Sequence, residues 1–518
     1  MTEPEPEPEP SGPPPEVRVA AGRLRGRREG GVAVFRGIPF AEPPVGALRF
    51  AAPRRARGWS GVREALAFGP PPPQGGHFGM DALSRDAEGD DWLTLNVWSP
   101  EPEPGRGAVL PVMVWIQGGG YVIGMSGLPE YDGGRLAREG GVVVVTFNYR
   151  VGIEGFAQIQ GAPANRGLLD QVAALTWVRD NIEAFGGDPG RVTVFGQSAG
   201  AGSVAAMLAM DSAAGLFRRA VVQSMPGTFF TPELAEDIAL ACAAELGLAP
   251  TVADLSGVPP RELPGAADAV GASMHQRNDR WGPPAYRSII FSPVVDGEVL
   301  AVTPWQALAD GAGRDVGLLV GHTRDEQRLF TAMTGLLGDV SEDQAETALR
   351  VLAPGGNGAR RYREAFPADG PDELYERVQS DWLFRMPSLQ LAEAQAGAGG
   401  RVHAYELTWS APGMGGVLGA CHGLDVPLVF GNLERGQPAA LIGDPPSAEA
   451  EGLSTRMRAA WASFATDGDP GWPSYDTRRR LVQLLDTRSA VVADPEGPSR
   501  LIWQGHTFPA LHLIGHRR

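Results

Sequence analysis

The chain has 518 residues and carries 61 acids against 45 basic side chains, a formal net charge of −16. No lysine occurs anywhere, so all 45 basic side chains are arginine, and Schiff-base, pyridoxal-phosphate, Walker-loop, protein-kinase and Ser–Lys chemistry is excluded in its ordinary form. The acidic balance argues against nucleic acid and anionic membrane surfaces as partners, since both need a basic face.

Residues 1–15 alternate Glu and Pro, lack a basic and an apolar leader region, and read as a disordered acidic tail. Residues 16–518 read as one domain. Residues 17–26 and 32–40 alternate apolar and polar side chains, which predicts antiparallel edge strands. A Gly/Pro-rich loop follows over about 68–91. Continuous apolar runs at 95–98, 109–116 and 142–148 predict strands covered on both faces. Leu168, Val172, Leu175, Val178 and Ile182 recur at helical spacing, and Gly186-Gly187-Asp188-Pro189 stops that helix. A strand at 192–195 and a small-residue helix at 199–210 come next, then strands at 220–223, 317–320 and 402–407. This alternation predicts the α/β class with a mostly parallel sheet. The stretches at about 226–314 and 341–398 interrupt it and read as cap or lid insertions.

Apolar runs are strand-length, well short of a membrane span. Cys242 and Cys421 are too few and too far apart for a disulfide framework, and no Cys/His spacing suggests zinc. A reducing, cytoplasmic location is expected.

Gly196-Gln197-Ser198-Ala199-Gly200 is a G-x-S-x-G placed between a predicted strand and a predicted helix. That context suits a nucleophilic serine on a tight turn, its Oγ clear of the sheet. Upstream, Gln117-Gly118-Gly119-Gly120-Tyr121 leaves backbone N–H groups unshielded at a strand end. The N–H groups of Gly119, Gly120 and Ala199 are candidates for an oxyanion hole.

Taken together, these stretches resemble the type-B carboxylesterases of the α/β-hydrolase fold, which include bacterial para-nitrobenzyl esterases and cholinesterases. The resemblance extends to Phe35-Arg36-Gly37-Ile38-Pro39-Phe40-Ala41, Pro43-Pro44-Val45-Gly46, residues 91–97, Asn148-Tyr149-Arg150-Val151-Gly152, residues 165–200, Phe430-Gly431 and residues 461–475. It implies a central, mostly parallel sheet with helices on both faces and cap insertions. It also implies a carboxylic-ester hydrolase (EC 3.1.1) acting through a Ser-His-Glu triad, with small-molecule ester substrates. No metal or organic cofactor is expected, and a monomer is favoured.

A serine nucleophile needs a base, and the base needs a carboxylate. Five of the eight histidines lie far enough downstream: His403, His422, His506, His512 and His516. His403 falls in an apolar strand, and the last three fall in the C-terminal end, where a solvated surface is the default. His422 lies in the glycine-flanked loop Gly419-Ala420-Cys421-His422-Gly423, matching the family's G-x-x-H-G-x-[DE]. By chemistry alone either Asp325 or Glu326, in Gly321-His322-Thr323-Arg324-Asp325-Glu326, could be the acid. The family pattern points to Glu326 and makes Asp325 a supporting residue. His322 reads as loop structure.

Several positions depart from the family. Gln117 replaces its usual His, and its amide could still order the loop. Gln197 stands where a Glu is frequent, which weakens the case for a cationic substrate. Trp92 replaces a cysteine of secreted members. Glu154 stands where an apolar residue is usual and needs an arginine partner. Arg49 with Asp90 and Arg150 with Asp170 are expected as structural ion pairs. Phe229, Phe230, Trp281, Tyr286, Ile289, Phe291, Phe330, Trp382, Phe384 and Met414 suggest an apolar gorge. Of these Ile289, Phe291, Phe330 and Met414, with Gln117 and Gln197, are candidate substrate contacts.

The same triad could hydrolyse amides, carbamates or aromatic diesters. A non-catalytic scaffold or adhesion protein of this fold usually loses the serine or the histidine, and both stand here. Lysine has A-rich codons and arginine GC-rich ones, so the missing lysine suggests a bacterial gene of high GC content.

Overall fold

The computed structural model describes residues 13–76, 89–100 and 110–514. The acidic tail through residue 12, part of the 68–91 loop with His77, and positions 109 and 516 lie outside the described residues. The described strands are β1 Glu16–Val19, β2 Gly22–Arg25, β3 Arg27–Glu29, β4 Val32–Pro39, β5 Val62–Glu64, β6 Thr94–Ser99 and β7 Leu110–Ile116. They continue with β8 Val143–Phe147, β9 Gly187–Gln197, β10 Arg219–Gln223, β11 Gly317–Thr323, β12 Val402–Leu407, β13 Leu481–Leu485 and β14 Ala490–Ala493.

Among the described residues, eleven strands form one sheet in the order β14-β13-β12-β11-β10-β9-β7-β8-β6-β4-β3. The run from β13 to β8 is parallel, and the pairs at either end are antiparallel. Side chains of a strand alternate between faces, and β7 shows where each face goes. Val112, Val114 and Ile116 join a core with Leu168 and Leu175 of the helix Arg166–Asn181 and Val204 of the helix Ala199–Leu208. Met113 and Trp115 join a second core with Leu136 of the helix Gly134–Gly140 and Met457 and Trp461 of the helix Ala448–Asp467. Helices therefore cover both faces, and the continuous apolar runs follow from that.

The first predicted strand is corrected. Residues 17–26 form the hairpin β1–β2, which pairs with β5 in a separate three-stranded sheet. Alternation reports one buried face, and here it runs unbroken through a two-residue turn. Residues 32–40 do form a strand of the main sheet, but β3 is its edge. β13 and β14, which close the far edge, carried no strong pattern; most of β14 is exposed.

Residues 226–314 contain the helices Pro232–Glu245 and Leu263–Ser273. Residues 341–398 contain Glu342–Leu352, Gly358–Ala365, Pro371–Ser380 and Met386–Gly397, with a π-helical turn at Asp381–Arg385. Among the described residues no helix is long and apolar enough to cross a membrane.

Two ion pairs brace the site-bearing half of the sheet. Arg150 grips Asp170 through Nη2 at 2.7 Å and Nε at 2.8 Å, both side chains fully buried, as expected. Arg49 does not pair with Asp90. It reaches Glu154, with Nε and Nη2 2.9 and 2.8 Å from Oε1, and so supplies the missing partner of that buried carboxylate.

Candidate active site

Ser198 stands between the end of β9 and the helix Ala199–Leu208, with φ 56° and ψ −127°. A non-glycine residue in this region stores backbone strain, on the order of 1–3 kcal/mol. The neighbours hold it there. Ser198 N–H donates to the Gln223 carbonyl at 2.9 Å, and its carbonyl accepts from Gly202 N–H at 2.9 Å. Gly196 and Gly200 are required by space: a Cβ on Gly200 would overlap the Ile116 carbonyl, and one on Gly196 would meet the Gly200 backbone at 2.6 Å. The sharp turn lifts Ser198 to the partly exposed end of the sheet.

The glycine loop after β7 lies against this turn. A Cβ on Gly118 would come within 2.8 Å of the Gln197 carbonyl and 3.0 Å of Ser198 Cβ. Gly119 and Gly120 have φ of 114° and 60°. Among the described residues no acceptor takes the N–H groups of Gly119, Gly120 or Ala199. Free donors on the loop and at the helix start suit a developing oxyanion. The Gln117 side chain does not order the loop as expected. Its amide is fully buried without a partner, and the loop is pinned instead by Tyr149 Oη donating to the Gln117 carbonyl at 2.7 Å.

Glu326 follows β11 and His422 lies in the loop before the helix Asp425–Phe430. His422 Nδ1 is 2.5 Å from Glu326 Oε2, and Glu326 Oε1 accepts from Thr323 N–H at 2.8 Å. Burial alone would raise the Glu326 carboxyl. The charge of His422, the hydrogen bond to it and the Thr323 N–H outweigh burial and hold it below the usual carboxylate range. Asp325 serves the loop: it accepts from Ala420 N–H at 2.8 Å, and its own N–H donates to the Ala420 carbonyl at 2.9 Å.

The other edge of the imidazole meets Gln197, whose Nε2 is 3.0 Å from His422 Nε2. A carboxylate at Nδ1 and an amide donor at Nε2 assign the proton to Nδ1 and the lone pair to Nε2. Among the described residues Ser198 Oγ makes no hydrogen bond, and the Gln197 amide occupies the Nε2 edge of the ring. Gln197 thus faces the imidazole.

Two rings cover His422. Phe384 stacks at 4.2 Å between centroids and Phe330 lies at 5.3 Å. Phe384 belongs to the π-helical turn, a feature frequent at functional sites; its contact with the imidazole had no sequence signal. Phe291 is buried and Ile289 packs partly buried against the same core, whereas Met414 is 62% exposed. Trp281 is held in the core by a bond from Nε1 to Asp237 at 2.7 Å. Below the triad candidates, Asp425 is fully buried and accepts from Tyr405 Oη at 2.9 Å; burial pushes its carboxyl up to about 6.

The remaining histidines sort by contact. His403 is buried, its Nδ1 3.0 Å from the Trp472 carbonyl. His322 is no loop residue: it lies within β11 and is buried. His506 is half-buried rather than fully solvated, because it packs edge-on against the stacked rings of Trp503 and Phe508. His512 is exposed.

Comparison with known proteins yields one consistent picture. The sequence pattern described as the carboxylesterase family matches residues 13–492. The para-nitrobenzyl esterase of Bacillus subtilis is 36% identical over 493 residues, covering 92% of this chain and 96% of the relative. The phenmedipham hydrolase of Pseudarthrobacter oxydans is 35% identical, with 92% and 96% covered. A solved carboxylesterase of Geobacillus stearothermophilus superposes with a TM-score of 0.83 at 37% identity, covering 95% of this chain and all of the other.

Proposed function

The chain belongs to the carboxylesterase family and hydrolyses carboxylic esters, and from that premise we propose that Ser198, His422 and Glu326 are its catalytic triad. The 2.5 Å pairing of Glu326 with His422, beside the strained Ser198, is the observation that carries this reading. His422 Nε2 takes the Ser198 proton as Oγ attacks the ester carbonyl. Gly119, Gly120 and Ala199 donate N–H bonds to the oxyanion, and the Glu326 charge stabilises the imidazolium. His422 then protonates the leaving alcohol. Water repeats the cycle on the acyl-enzyme and releases the acid. For the first step the Gln197 amide must yield Nε2 to the Ser198 hydroxyl.

The substrate is a small-molecule ester, and the reading extends to Ile289, Phe291, Phe330 and Met414 as gorge contacts. Residues 16–518 act as one catalytic unit with caps at about 226–314 and 341–398, in a bacterial cytoplasm and as a monomer. Ser198→Ala is the test. It should abolish p-nitrophenyl butyrate turnover and fluorophosphonate labelling in a folded protein; retained turnover would overturn the nucleophile. Phenmedipham belongs in the substrate panel, because one relative bears its name.

A further inference from the structure

Away from the serine, three ionisable side chains converge in the interior. His322 and Glu406 are direct partners across the parallel pair β11–β12. Glu496 arrives from the segment after β14, next to the helix Gly497–Ile502. All three are more than nine-tenths buried, and one donor atom from each lies within 4.8 Å of the others. His322 Nδ1 is 3.2 Å from the Thr323 carbonyl, which fixes the proton on Nδ1 and leaves the Nε2 lone pair free.

The charges in this cluster do not cancel. Glu496 pairs with Arg385, and Arg385 also holds Asp381 with Nη1 3.1 Å from Oδ1. Glu406 is 4% exposed, and among the described residues it accepts no hydrogen bond and forms no ion pair. With a neutral imidazole, and with Arg324, whose charge also acts on Glu406, counted together with its partner Asp325, four carboxylates face two guanidiniums. The nearby Arg480 is engaged with Glu393. A buried unpaired carboxylate requires a cation or a proton. A cavity of about 20 Å³ adjoins the cluster, lined by His322, Tyr405, Tyr475, Arg480 and Glu496, with room for one water-sized group.

We propose that His322, Glu406 and Glu496 form a binding site for one divalent transition-metal ion. One imidazole and two carboxylates suit zinc or manganese and disfavour calcium, which takes oxygen ligands only. Zinc bonds of about 2.0–2.2 Å need the three donors to draw together from their present spacing of up to 4.8 Å. The Arg385 guanidinium beside Glu496 weakens such a site, and the two excess negative charges more than offset it. The ion clamps the segment after β14 onto the ends of β11 and β12. It takes no part in ester hydrolysis, so the site stands apart from the serine mechanism.

The experiment uses the full chain without an affinity tag, stripped by chelator and dialysed against Zn²⁺. One zinc per chain is expected by elemental analysis, with a rise in Tm of about 2 °C at a hundredfold excess over Kd. Co²⁺ should give visible absorption bands of a nitrogen–oxygen site. Glu406→Gln, nearly isosteric, should lose the bound zinc and the metal-dependent Tm shift yet retain esterase activity, which reports its fold. His322→Ala should do the same, and if it fails to fold Glu406→Gln decides alone. Full zinc retention in Glu406→Gln, or no uptake by the unaltered chain, overturns the proposal; the three groups then share a proton instead.

Discussion

The Gln197 side-chain amide lies 3.0 Å from His422 Nε2, on the ring edge opposite Glu326. A carboxylate in its place favours the protonated imidazole, which cannot act as a base. In Gln197→Glu the acid limb of kcat/KM should therefore move to higher pH. Gln197→Ala also loses the amide donor that favours the neutral imidazole, so its limb should rise too, but by less than that of Gln197→Glu. Rate profiles from pH 5 to 9 with p-nitrophenyl butyrate measure this; coincident limbs for the two variants would overturn it.

Glu326 accepts from Thr323 N–H and from His422 together, both bonds inside the protein. Glu326→Gln keeps the shape but can present an amide N–H to Nδ1, which drives the ring proton to Nε2 and removes the base. A fall in kcat of about 10⁴-fold is expected from the equivalent change in serine proteases. KM should change little. A loss below tenfold, measured on folded protein, would mean that another acid holds His422.

How much of this was legible in the sequence depended on reach along the chain. The elbow Gly196–Gly200 was legible because a strand, a turn and a helix all lie within a few residues of Ser198. Glu326 and His422 needed the family resemblance, since 96 residues separate them. Arg49 and Glu154 are 105 residues apart, and neither periodicity nor motif pairs them. The contact of Phe384 with His422 hangs on a π-helical turn, whose extra residue per turn has no sequence signature. His322 and Glu406 meet only through the register of β11 on β12, which a strand prediction without register does not supply.

The Arg49–Glu154 pair predicts strong asymmetry between single and double replacements. Burial raises the Glu154 carboxyl, and Arg49 is the main opposing influence. Arg49→Met takes away the only side chain bonded to that carboxylate among the described residues, leaving it to the more distant charges of Arg150 and Arg166, and should cost about 3–5 kcal/mol. Arg49→Met with Glu154→Leu removes both charges and should regain most of that loss. Urea midpoints with slopes measure it; additive losses in the double variant would show that the two residues act independently.

Asp425 predicts the opposite sign, a carboxylate whose removal stabilises. Its ordinary value is 3.8 and burial pushes it up to about 6 in the folded chain. Between those values the folded state keeps a proton that the unfolded state releases, so stability falls as pH rises through this window and then levels off. Two pH units at about 1.4 kcal/mol each bound the deficit at roughly 3 kcal/mol. Asp425→Asn cannot ionise, and its carbonyl can still accept from Tyr405. The variant should therefore gain on the unaltered chain between pH 4 and pH 6 and hold that gain at pH 8. Tm measured at pH 4.5, 6 and 8 tests this. An equal gap at all three values would mean that Asp425 stays ionised in the core, with its charge carried by Tyr405 and His422.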